Sequence, residues 1–175
     1  MGDFQENQRR EDEFLYHLGR TLTNWQWVEA GAYKIYAALM QGAPPKLNSF
    51  NWHHIQSFDS RIQLLDGCAF LQMKEESFKD EWTPLRKRVE ASSQVRNRIV
   101  HGAYGVDFKD GIGVPRISPS FMDASAVVRK RAGNPQHEFD RSRLMKEGAA
   151  FKALSHKLRE FAETNFPHAD ERFPG

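Results

Sequence analysis

Apolar residues recur at steps of three and four from about Glu11 to Met40. Leu18, Leu22, Trp25, Ala32, Tyr36 and Leu39 fall on one stripe, and Phe14, Val28 and Ile35 widen it. That period predicts an amphipathic helix. Glu29 occupies the vacant step between Trp25 and Ala32. A carboxylate on an apolar seam needs a partner if it is buried. Glu29 therefore reaches water at the stripe edge, joins a structural ion pair, or orients a functional arginine or histidine from behind. Gln41-Gly42-Ala43-Pro44-Pro45 ends the helix, because glycine caps it and proline cannot continue it.

A second helix is expected from a cap at Asn48 or Ser49 to about Met73. Its seam is Ile55, Phe58, Ile62, Leu65 and Ala69, and Gly67 marks close packing between helices. The charge of residues 74–84 suggests an exposed connection or a short helical entry. Thr83 and Pro84 read as the cap and first turn of a third helix, ending at His101 or Ala103. Leu85, Val89, Ser92, Ile99 and Ala103 form its inner seam, and Arg96 falls in the same series. The texture then changes to scattered glycines and prolines. Asp110-Gly111 signals a turn, and residues 113–118 and 126–130 suggest a small hairpin. The last helix should run from Asp140, as its cap, to Glu163, burying Leu144, Phe151, Leu154, Leu158 and Phe161.

The sum is an all-α bundle of four to five helices. We expect one domain over residues 1–175, with 104–138 as an irregular or small-hairpin insertion and 167–175 as a short tail. A chain of 175 residues is long enough to bury a substantial core. Basic and acidic residues number 25 and 23, a net charge of +2 that is too balanced to imply nucleic-acid binding by itself. Cys68 is the lone cysteine, so cysteine-based zinc sites and intrachain disulfides are excluded. His53 and His54 are adjacent, but adjacent helical residues diverge and no His-Glu-x-x-His pattern accompanies them. No metal site is expected, and no cofactor, since phosphate-loop and dinucleotide fingerprints are both missing. The polar N-terminus and the absence of a long apolar run point to a cytoplasmic protein with no membrane partner.

The most specific stretch is Gln94-Val95-Arg96-Asn97-Arg98-Ile99-Val100-His101-Gly102. A guanidinium holds phosphate with a planar fork and stays charged at neutral pH. An imidazole moves protons near neutrality. An amide both donates and accepts, so Asn97 can orient substrate or a catalytic group. Arg96, Asn97 and His101 are groups of the kind that cleave RNA without metal, and two subunits would pair the histidines for acid and base work. In that reaction a 2′-hydroxyl attacks its own phosphate, leaving a 2′,3′-cyclic phosphate and a 5′-hydroxyl. Asn97 and His101 are four apart and share a face, and Arg98 and His101 are three apart. Arg96 and His101 are five apart. Either Arg96 reaches around, the helix distorts at Gly102, or a second subunit completes the site. Arg98 and the basic run Arg129-Lys130-Arg131 supply an RNA-binding surface, with Arg141 and Arg143 further on.

Arg-Asn-Arg-Ile-Val-His-Gly resembles the signature of the HEPN superfamily (higher eukaryotes and prokaryotes nucleotide-binding domains), an arginine, four to six residues, then a histidine. Arg96, Asn97 and His101 match in that order over about seven residues. The resemblance implies a helical RNA endonuclease, a hydrolase acting as a homodimer with the two motifs in a shared cleft. It also implies a defence or toxin role, with an antitoxin or other regulatory protein as partner. One toxin group carries tyrosine two residues after the motif histidine; this chain has Ala103 there and Tyr104 one place later. A noncatalytic HEPN-like module that binds RNA or protein is the alternative, with Arg96 paired to a buried carboxylate and His101 closing its helix.

Overall fold

The first helix starts well ahead of its apolar stripe. In a computed structural model, which describes residues 2–40, 42–73, 76–109, 111–119 and 138–167, α1 spans Gly2–Leu39. Its opening turns carry no core face. They are laced instead by ion pairs at helical spacing, Arg9 to Glu6 and Glu13 and Arg10 to Glu6, at 2.7–2.9 Å. The stripe itself is buried as expected at Phe14, Trp25, Val28, Ala32, Ile35, Tyr36 and Leu39, while Leu18 and Leu22 are partly covered.

The expected second helix is two. α2 spans Pro45–His54 and α3 spans Phe58–Gln72. Ser57 causes the break: its backbone is extended and its hydroxyl accepts from Ser60 N at 3.0 Å, a local N-cap. Arg61 Nε donates to the Ile55 carbonyl at 2.9 Å, satisfying a group freed at the end of α2. The third expected helix begins earlier than Thr83-Pro84 suggests. α4 spans Glu76–Val100 with Pro84 inside it. Pro84 is exposed, whereas Phe78 and Trp82 ahead of it are buried. The apolar anchors hold the helix through a residue that removes one of its hydrogen bonds.

The hairpin pairs differently from the expectation. β1 (Ala103–Lys109) pairs antiparallel with β2 (Ile112–Ser118), in a register running from Ala103 opposite Ser118 to Lys109 opposite Ile112. Residues 113–118 do form a strand, but their partner precedes them. The turn passes through Gly111 at φ 78°, a conformation that favours glycine. Residues 126–130 lie outside the described residues. α5 spans Arg141–Asn165 and begins where expected, with Asp140 Oδ1 accepting from Arg143 N at 2.8 Å. The described residues thus form an all-α fold of five helices, with a small hairpin between the fourth and fifth. Among them no helix is long and apolar enough to cross a membrane.

The chain groups into two compact units. The first comprises Met1–Asn24 and Gln94–Ala150. Its core is Phe14, Ile99, Ile117, Phe139 and Leu144, with Leu18, Leu22 and Val95 packed against it. Asn7 ties the hairpin tip to α1, donating to Gly111 O at 3.3 Å and accepting from Gly113 N at 2.9 Å. Thr21 Oγ1 lies 2.9 Å from the Leu144 carbonyl, and Asn24 donates to Gly148 O at 2.9 Å. The second unit comprises Trp25–Ser93 and Phe151–Gly175. Trp25 centres it, edge-on to Phe58 at 4.9 Å and to Phe151 at 5.3 Å. Ser93, not Ser92, is the buried serine of α4, and its hydroxyl donates to Asp59 at 2.9 Å.

Candidate functional site

The last two turns of α4 carry the residues singled out by their chemistry. Ile99 is 3% exposed and anchors these turns in the core of the first unit. That anchoring sets the phase of its neighbours. Arg96, Asn97 and Arg98 are half-buried, and His101 is exposed. His101 N donates to Asn97 O at 2.9 Å, so helical hydrogen bonding continues one residue past Val100. His101 therefore sits one turn beyond Asn97.

Arg96 Nη1 donates to Asn97 Oδ1 at 3.0 Å. Neighbouring residues on a helix do not face each other by backbone direction. The long arginine side chain curls to meet the amide. Arg96 and Asn97 are thus brought together side chain to side chain, and Asn97 and His101 are linked through the backbone. Chemically, an oriented guanidinium offers a fixed fork for a phosphate, and an exposed imidazole offers a proton donor or acceptor reachable from solvent.

Gly102 makes the junction with the hairpin. A Cβ there would overlap Ile117 Cγ2 and stand 2.8 Å from Arg98 O and 3.0 Å from Ser118 O. Glycine is required here because β2 passes close against the end of α4, not because of a left-handed turn. The sequence suggests a helix breaker at this point; the structure uses the missing side chain as space.

Arg98 lies over a ring. Its guanidinium carbon is 5.8 Å from the centroid of Phe139, and Arg143 approaches the same ring at 4.5 Å. Phe139 bridges back to the hairpin, accepting from Ile117 N at 3.0 Å and donating to Ile117 O at 2.8 Å. Sequence reasoning missed the meeting of Arg98, Phe139 and Arg143. No spacing could reveal it, because a long insertion separates α4 from Phe139. On β2, Arg116 is engaged by Asp107 at 2.9 Å and Glu138 at 2.6 Å.

The other candidates are placed as follows. Arg129, Lys130 and Arg131 lie outside the described residues. Glu29 lies on α1 in the second unit, half-buried, and accepts from Trp25 Nε1 at 2.6 Å. That bond gives a carboxylate on an apolar seam one of the partners it needs. His53 and His54 are exposed at the end of α2, with His54 stacked 4.1 Å from Phe50. Among the described residues no group of three or more histidine, cysteine, aspartate or glutamate side chains converges as a metal site would. Cys68 is half-buried with Sγ 3.8 Å from Met40 Sδ, and burial pushes its thiol pKa up, away from reactivity.

Tyr104, three residues past His101, donates to Glu11 at 2.6 Å and packs 5.9 Å from the Phe14 ring. Burial first, and then the Glu11 carboxylate, raise its pKa to about 12. Its hydroxyl is a held donor rather than a base. No protein-family model matches the chain, and neither a curated protein nor a solved structure matches it.

Proposed function

We propose that the protein is a metal-independent RNA endonuclease in which Arg96 and His101 act on the substrate and Asn97 positions Arg96. The observation that carries this reading is the Arg96–Asn97 hydrogen bond at 3.0 Å, one helical turn below an exposed His101. Asn97 holds the guanidinium fork, and Arg96 takes the non-bridging oxygens of the scissile phosphate. His101 removes the proton of the 2′-hydroxyl, and the 2′-oxygen attacks phosphorus. The bond to the 5′-oxygen breaks, and that oxygen leaves with a proton. One histidine per chain cannot be base and acid in the same turnover step. The second is supplied by His101 of another copy, which makes a homodimer part of the reading. Arg98 binds a flanking phosphate.

Purified protein should cut single-stranded or structured RNA in the presence of EDTA and leave 2′,3′-cyclic phosphate and 5′-hydroxyl ends. His101→Ala should abolish cleavage with helical content and dimerisation unchanged. A 3′-hydroxyl product would contradict the mechanism, and undiminished cleavage by His101→Ala would remove His101 from it. RNA binding without cleavage, indifferent to His101→Ala, would assign the chain as a noncatalytic RNA-binding module.

A further inference from the structure

Two planar cations cover one buried ring. Arg98 comes from the end of α4 and Arg143 from the first turn of α5, at 5.8 and 4.5 Å from the Phe139 centroid. Phe139 itself is 0% exposed. Backbone carbonyls orient both guanidinium groups: Arg98 Nε donates to Gln94 O at 3.4 Å, and Arg143 Nη1 donates to Glu138 O at 2.9 Å. The guanidinium carbons are at most about 10 Å apart, since each lies on the same ring. An open hollow of about 490 Å³ adjoins Arg143, and exposed Lys146 stands on its rim. Among the described residues its acidic members are Asp140, which caps α5, and Glu147, 3.9 Å from Arg143 Nε.

We infer that Arg98 and Arg143, mounted on Phe139, form a phosphate clip for single-stranded RNA leading away from His101, with Lys146 extending it along α5. The identity of the ligand as RNA rests on the cleavage reading above. The strand is single because in-line attack by a 2′-hydroxyl needs a nucleotide released from regular stacking. Both forks are planar cations suited to phosphate oxygens, so they recognise backbone rather than base and bind without sequence preference. Arginines that merely shield a buried ring would give the same contacts and no salt-dependent RNA term. That difference is measurable.

The test uses the full chain carrying His101→Ala, so that RNA survives, and a short fluorescent single-stranded RNA of mixed sequence. Binding is followed by anisotropy between about 50 and 200 mM salt with EDTA present. Adding Arg143→Met should weaken binding roughly threefold to tenfold, by a similar factor for RNAs of different sequence. The slope of log K against log salt should become shallower by about 0.7. Arg143→Lys, which keeps the charge, should retain most of that slope. An Arg143→Met protein that folds and binds with the parent's affinity and slope would overturn the clip. If Arg143→Met does not fold, Lys146→Met decides on the same criterion, because Lys146 is exposed and an unchanged slope there overturns the clip too. Normal cleavage by a wild-type background carrying Arg143→Met, with unchanged RNA affinity, sinks the clip alone. Arg143-dependent binding by a protein that never cuts RNA leaves the clip and sinks the nuclease. No RNA binding by the parent sinks both.

Discussion

Gly102→Ala isolates the contact on which the candidate site is built. The new methyl would overlap Ile117 Cγ2 and crowd two backbone carbonyls, Arg98 O at 2.8 Å and Ser118 O at 3.0 Å. None of these yields easily. Ile117 is buried, and its backbone is bonded to Phe139 in both directions, at 3.0 and 2.8 Å. Arg98 O belongs to α4, and Ser118 sits opposite Ala103 in the hairpin register. Inserting a methyl into a packed site costs about 1–3 kcal/mol. Losing a glycine from the unfolded chain returns about 0.4–1 kcal/mol. The net expectation is a destabilisation of about 1–2 kcal/mol, or about 2–8 °C in Tm for a chain of this size.

Thermal and urea unfolding measure it, with Gly105→Ala as the control. Gly105 has nothing within 4 Å of a Cβ and should change stability by less than about 0.5 kcal/mol. The sharper readout is a double-mutant cycle with Ile117→Ala, which deletes the blocking methyl. Ile117→Ala alone should cost about 2–5 kcal/mol, but the pair should fall short of the sum by about 1 kcal/mol or more. A Gly102→Ala protein as stable as wild type, or a cycle that is simply additive, would refute the close approach of β2 to the end of α4.

Three further outcomes are expected. Phe139→Ala empties a fully buried ring position and should cost about 3–5 kcal/mol in urea unfolding, against under about 1.5 kcal/mol for Phe139→Leu; equal losses would mean the ring is not packed as described. Asn97→Ala removes the acceptor of Arg96 Nη1 and should lower RNA cleavage at least about tenfold while costing only about 1 kcal/mol of stability; unchanged cleavage would dismiss Asn97 as a positioning residue. Tyr104 should ionise near pH 12 in the folded protein, and Glu11→Gln should lower that value in an ultraviolet titration. Because the fold favours the neutral phenol, its contribution to stability is intact below the ordinary tyrosine pKa. It is lost as pH rises through about 12, so a Tyr104→Phe protein should show a flatter stability profile in that window.

The long helices were legible because each buries a continuous stripe. The periods through Trp25 and Tyr36, and through Leu144 and Leu158, survive intact in the structure. The failures differ in cause, and at Ser57 a single polar residue with a local bond outweighs a plausible period. Ile55, Phe58 and Ile62 keep helical spacing across the gap between α2 and α3, yet Ser57 capping Ser60 N ends that continuity. At Pro84 a plausible start signal loses to buried Phe78 and Trp82, which extend the helix ahead of it. Hairpin pairing was missed although Tyr104, Val106 and Phe108 alternate with Gly105, Asp107 and Lys109 up to the Asp110-Gly111 turn, a pattern that marks a strand.

The candidate site divides along the same line. Asn97 and His101 are neighbours by spacing, which a sequence can express. Arg96 to Asn97 is not, because helix geometry turns adjacent residues apart and only the reach of an arginine side chain closes the gap. Arg143 is further removed still. It shares the Phe139 ring with Arg98 because Phe139 pairs with Ile117, which packs against the end of α4 where residue 102 lacks a side chain. Gly102 therefore links the end of α4 to the second arginine. It sets the distance between the end of α4 and the hairpin, and through Ile117 and Phe139 it sets where the second arginine can stand. A change at Gly102 should accordingly disturb RNA binding through Arg143 even where His101 is already replaced by alanine. An effect on cleavage alone, with the salt slope of binding intact, would break that chain of contacts at its first link.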